Sequence, residues 1–216
     1  MTVTIKHHLS DALLMAYSAG TLPEAFSLTV ATHISMCDEC RARLGAYDTV
    51  GGVLMDEGEF AEMSADSFEA TLARIDTGHS VAPPKPVANG GIFPAPLQDY
   101  VGGDLDAVNW RPLGMGVKQA ILETDSDATA RLLFIPAGVA VPDHGHAGTE
   151  LTLVLKGAFS DDHDRFARGD VEIANESVDH APVADIGEDC ICLAATDARL
   201  RFNSWLPRIA QPFLRI

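Results

Sequence analysis

GVAVPDHGHAGTELTLVLKG, residues 138–157, decides how the larger part of the chain is read. His144 and His146 stand two apart, which on a strand puts both side chains on one face, and Glu150 returns from a turn on the neighbouring strand to meet them. Around this stretch, short β-rich runs recur with turn residues between them, at residues 117–122, 130–135, 150–155, 171–174, around Val183, and at 190–195 and 200–205. Regular short strands of this kind build a sandwich or barrel, so residues 102–216 are expected to form an all-β domain.

Working toward the N-terminus, residues 77–101 hold Pro83, Pro84, Pro86, Pro94 and Pro96 with Gly90 and Gly91, a composition that breaks helix and strand alike. A linker is expected over 81–101. Before it the pattern is helical. Ser10 and Asp11 cap a first helix that ends at Gly20, and Pro23 opens a second through Leu28, Ala31, Ile34 and Cys37. Residues 41–54 read as a third helix, and Asp66 or Ser67 caps a fourth through Phe68, Leu72 and Ile75. The expectation is an α + β chain of two domains, with an all-α four-helix unit over 1–80 too small to hold much of a core by itself.

That helical unit has a metal-ligand pattern of its own. His33-x3-Cys37-x2-Cys40 places three ligands at i, i+4 and i+7, on one helix face or at a helix end, and His8 can close a tetrahedron. His7 is the rival for the fourth position, because adjacent residues do not easily point at one ion. Two thiolates and two imidazoles suit a closed structural zinc site, whose binding energy, on the order of 10–16 kcal/mol, would supply what the small core lacks. The remaining cysteines, Cys190 and Cys192, share a strand face; they are either buried core residues or a redox pair or additional ligands.

Composition narrows the function. The formal charge of −16 divides into −8 over residues 1–76, with 12 acids and 4 bases, and −8 over the remainder, with 19 acids and 11 bases. Such a chain is repelled by a phosphate backbone, so direct nucleic-acid binding is disfavoured and a basic protein partner favoured. The acidic stretch Asp56, Glu57, Glu59, Glu62, Asp66 and Glu69 holds no basic residue and could face one. The longest apolar run, 132–142, is too short to span a bilayer, and no secretory signal is read at the start. A cytoplasmic setting, where a C-x-x-C stays reduced and holds metal, is expected.

Two resemblances meet in this chain. An early His followed by His-x3-Cys-x2-Cys on the second of about four short helices resembles the zinc-binding anti-sigma domain. Its surroundings, HHLSDALLMAYSAGTLPEAFSLTVATHISMCDECRARLG, are similar to the ChrR-type anti-sigma factors, a likeness that continues over nearly the whole chain. The family's zinc ligands then fall on His8, His33, Cys37 and Cys40. Gly138-x5-His144-x-His146-x3-Glu150-x6-Gly157 resembles the first cupin motif at every fixed position. The second motif is partly kept: Gly169 and His180 are present, whereas Asn175 and Ser177 stand where the family has proline and glycine, and Ala184 replaces its final asparagine.

The resemblance implies a cupin jelly roll with a metal on His144, His146, Glu150 and His180. Zinc is the expected occupant, and Fe, Mn or Ni fit the same donors. It also implies an extracytoplasmic-function sigma factor as 1:1 partner, inhibited by the helical domain and released on an oxidative signal, singlet oxygen, sensed by the cupin. The competing reading is an enzyme, a metal-dependent cupin dioxygenase with the helical segment as an accessory.

Overall fold

The computed structural model describes residues 4–77 and 90–202. Its helices follow the caps. Helix α1 (Asp11–Ser18) begins where the Ser10 hydroxyl accepts the Leu13 N–H, and α2 (Glu24–Met36) starts directly after Pro23. Helix α3 (Asp38–Asp56) begins three residues earlier than the apolar spacing indicates, because Cys37 serves as its N-cap, its sulfur accepting the Cys40 N–H. Helix α4 (Ser67–Asp76) matches its expected place.

Helix α5 (Ala95–Val101) occupies the end of the segment read as linker. Pro94 and Pro96 sit at its start, where a missing N–H costs nothing, and Gly102 closes it with φ 80°. The prolines there initiate a helix, whereas Pro83, Pro84, Pro86 and His79 lie outside the described residues.

A short 3-10 turn, Leu105–Ala107, leads into the sheets. One sheet has six strands: β1 (Arg111–Gly114), β2 (Val117–Ile121), β3 (Thr129–Ile135), β11 (Cys190–Thr196), β5 (Glu150–Lys156) and β8 (Val171–Ala174), in that spatial order. Two three-stranded sheets complete the barrel. One orders β10 (Val183–Ala184), β6 (Ala158–Ser160) and β7 (Arg165–Ala167); the other orders β12 (Leu200–Phe202), β4 (His144–His146) and β9 (Asp179–His180). Every strand pairing is antiparallel. This is the expected cupin-like barrel behind an all-helical N-terminal region. Of the final run, residues 203–205 fall outside the described residues.

The period of two divides each central strand between two cores. On β11, Cys190 and Cys192 turn into the barrel with Ile135, Val154 and Phe159, while Ile191, Leu193 and Ala195 turn outward. That outer face is not solvated. Helix α2 packs across β3, β5 and β11, and Phe26, Leu28 and Val30 form one continuous core with Leu132, Leu151, Leu153 and Leu193. The helical region therefore shares its core with the barrel, and the two units are not packed as separate cores. This explains why β5, ELTLVLK, is buried along almost its whole length where a half-solvated strand would alternate.

Candidate metal centres and the barrel cavity

The first ligand group assembles where α2 ends. His33 lies in its last turn, Cys37 at the junction and Cys40 in the first turn of α3, while the extended segment before α1 brings in His8. One ligand atom from each of the four lies within 4.8 Å of every other. His8 Nδ1 is 3.3 Å from Cys37 Sγ and 3.6 Å from Cys40 Sγ. Burial pushes the His33 imidazole down to about 4, leaving it neutral, and pushes the Cys40 thiol up to about 11. His33 Nδ1 is fixed 2.9 Å from the Gly169 carbonyl oxygen, and its Nε2 is buried with no hydrogen-bond partner among the described residues. A buried imidazole nitrogen aimed at two sulfurs fits a metal ion, whose binding would draw the thiol protons off.

His7, the rival ligand, points elsewhere. Its Nε2 is 3.0 Å from an Asp164 carboxylate oxygen and its ring lies 4.4 Å from that of Phe166, both on the barrel. Adjacent histidines thus serve opposite partners, His8 the cysteines and His7 the β6–β7 hairpin.

The second group forms inside the barrel. Strands β4 and β9 pair in register with His144 opposite His180, and one nitrogen each from His144, His146 and His180 lies within 4.8 Å of the others. His146 Nε2 and His180 Nε2 face each other at 3.3 Å. Glu150 stands just outside this tight trio, its Oε1 accepting the Thr152 hydroxyl at 3.0 Å and its Oε2 lying 3.8 Å from His146 Nδ1. Burial lowers His144 and His146, so both are neutral donors.

His180 differs. Its Nδ1 is 2.9 Å from Glu172 and 3.3 Å from Asp161, and although burial opposes the charge, these carboxylates raise its pKa. Carboxylates on Nδ1 orient Nε2 toward the other two histidines, the usual arrangement behind a metal-ligating imidazole. Opposite shifts in the acid pair separate their roles: burial raises Glu172, while N–H groups of Asp164 and His163 outweigh burial and lower Asp161. The altered second motif also closes properly. Asn175 Oδ1 accepts from both the backbone N–H and the hydroxyl of Ser177, an Asx turn that does the work of the missing proline and glycine.

A cavity of about 400 Å³ fills the barrel, with His144, His180, Glu150 and Glu172 at one end and Leu113, Val117, Leu133 and Phe159 among its walls. The chain matches the family model described as ChrR cupin-like domain over residues 98–199. It is 60% identical over 215 residues to the anti-sigma-E factor ChrR of Cereibacter sphaeroides, covering 99% of this chain and all of that one. The chain belongs to the ChrR family of anti-sigma factors. A crystal structure of Rhodobacter sphaeroides SigE in complex with the anti-sigma ChrR matches with TM-score 0.80 and 58% identity, covering 90% of this chain and all of that one. As a ChrR-type protein the chain is a regulator and not a dioxygenase. No described helix is long and apolar enough to cross a membrane.

Two acids of this ChrR-type barrel escape a reading of the sequence. Asp161 sits in Asp161-Asp162-His163-Asp164, which reads as a solvated turn, and its carboxylate does accept the His163 and Asp164 N–H groups; yet its side chain is fully buried against His180. Glu172 could have been flagged, since Val171-Glu172-Ile173 puts a charge on the inward face and leaves Ile173 partly exposed. Cys190 and Cys192 lie with sulfurs 3.5 Å apart and fully buried. Their mutual hydrogen bond and burial hold the Cys192 thiol well above the usual value, so it stays protonated and weakly reactive.

The two ligand groups are joined by one hairpin. From its β6–β7 turn Asp161 reaches His180 and Asp164 reaches His7; beyond β7, Gly169 holds His33 and the Asp170 carboxylate accepts the Lys6 and His7 N–H groups at 2.6 and 3.0 Å. Gly169 is needed there: its φ is +93°, and a Cβ would come within 2.7 Å of Ile5.

Proposed function

We propose that this protein binds and inhibits an extracytoplasmic-function sigma factor as a 1:1 heterodimer in the cytoplasm, through a zinc-holding helical region, and releases it when the barrel registers an oxidative signal, singlet oxygen. The observation that carries the reading is a run of large apolar side chains left exposed among the described residues. Val50, Val53, Leu54 and Met55 in the second half of α3, Phe60 and Met63 after it, and Phe68, Leu72 and Ile75 along one face of α4 are all exposed, Phe60 at 93% and Met55 at 81%. No residue of α4 is buried. A soluble protein rarely leaves so many large apolar side chains exposed over one short stretch of chain unless a partner takes them. The acids among these residues suit a basic partner surface.

The division of labour follows from the placement. Residues 1–80 would carry inhibition, 81–101 the connection, and 102–216 the sensing. Zinc on His8, His33, Cys37 and Cys40 would lock the α2–α3 corner, and a second ion, zinc foremost, would use His144, His146, His180 and Glu150 with Glu172 and Asp161 orienting His180. The hairpin supports coupling between them, because a disturbance at His180 has a direct mechanical route to His33 and His7. The test is co-purification with the sigma factor encoded in the same host. One equivalent of sigma factor should bind the wild type and be released after singlet oxygen exposure, and Leu72→Glu should weaken capture. Sigma capture unaffected by Leu72→Glu would refute the assignment of this surface.

A further inference from the structure

Arg131 projects from β3 into the barrel on the same side as Leu133 and Ile135, and is 7% exposed. A guanidinium has five N–H donors and stays charged at any working pH. Here Nη1 donates to Gln119 Oε1 at 3.4 Å, a long bond to a neutral group, and Nε is buried with no partner among the described residues. No described carboxylate lies within ion-pair distance; burial lowers the pKa of Arg131, and the one charge that opposes this is Glu150, too far away for an ion pair. Glu150 is engaged with Thr152 and turned toward His146. A buried cation so sparsely paired is costly unless something completes it.

What completes it is read from the cavity. Arg131 is the sole Lys or Arg among the described lining residues; Glu150 and Glu172 line the histidine end, and Leu113, Val117, Leu133, Phe159 and Leu200 are among the apolar walls. One fork of donors in a largely apolar chamber matches the two oxygens of a carboxylate, whereas a phosphate dianion would call for a second cation. The volume of about 400 Å³ is that of a small-molecule pocket.

We propose that the barrel is a receptor for an organic carboxylate with an apolar tail, its carboxylate on Arg131 beside Gln119 and its tail along Leu113, Val117, Leu133 and Phe159. The site belongs to the barrel and is independent of the sigma partner. Octanoate and octanol, which share a tail and differ in charge, are the probes. Calorimetric titration of the full chain should show octanoate binding, octanol binding much more weakly, and Arg131→Gln weakening octanoate about tenfold or more with little effect on octanol. Equal binding of the two probes, no binding of octanoate, or octanoate binding unchanged in Arg131→Gln would overturn the proposal, the last because the carboxylate would then sit on the histidine cluster. Should Arg131→Gln not fold, Leu133→Trp, which fills the chamber and keeps the guanidinium, must abolish octanoate binding, and retained binding would overturn it equally.

Discussion

Helices α2 and α4 are similar in length and opposite in fate. Both carry apolar residues at helical spacing, yet α2 is buried between the barrel, α1 and α3, whereas no residue of α4 is buried. The difference lies at their ends. The last turn of α2 and the start of α3 hold His33, Cys37 and Cys40, and Gly169 of the barrel grips His33 from the other side. Among the described residues no such tie reaches α4, which stands exposed at the end of the acidic stretch. One helix is committed to holding the molecule together and the other is kept for a partner.

The largest effect should come from breaking the α2 side of this contrast. Cys37→Ser or Cys40→Ser should lose one equivalent of metal and melt α1 to α3, since a structural metal site contributes on the order of 10 kcal/mol. Circular dichroism and metal analysis would show it, with the sigma factor left permanently active. Next, Leu72→Glu or Phe68→Glu on α4 should weaken sigma binding by about 2–3 kcal/mol, the range of an interface hot spot, while the stability of the free protein moves by no more than about 0.5 kcal/mol because both side chains are exposed. Loss of stability in these variants would mean that α4 is packed internally after all.

Asp170→Ala removes the acceptor of the Lys6, His7 and Ala167 N–H groups and should cost about 2–4 kcal/mol of stability in denaturant unfolding, with inhibition kept. The smallest effect on inhibition belongs to His144→Ala. One metal equivalent should go and sigma binding should stay, while the response of a sigma-dependent reporter to singlet oxygen disappears. Equal loss of inhibition from Cys37→Ser and His144→Ala would reduce the barrel to a structural support.

Much of this contrast is legible in the chain itself. Ser10, Pro23 and the Phe68, Leu72 and Ile75 spacing place the helices, because caps and amphipathic periods are local properties. His33, Cys37, Cys40, His144 and His146 are legible because their spacing alone puts each set on one surface. What escapes is long-range. That α2 shares a core with β3, β5 and β11 follows from strands apolar on both faces, which read equally well as buried within the barrel. His7 and His8 cannot be told apart until Asp164 and Asp170 are brought beside one of them. Asp161 looks like a turn former and is one; its contact with His180 depends on a hairpin folding over the barrel end. The apolar stripe of α4 is visible in sequence, but that it stays exposed among the described residues is what marks it as a binding surface.

Hydrogen–deuterium exchange of the full chain, free and in complex with its sigma factor, tests the contrast most directly. Residues 50–56 of α3 and 67–76 of α4 should exchange quickly in the free protein and become protected in the complex, while α2 is slow in both states. Protection gained in α2 with α4 still exchanging freely would contradict the division between a helix that binds the barrel and a helix that binds the partner.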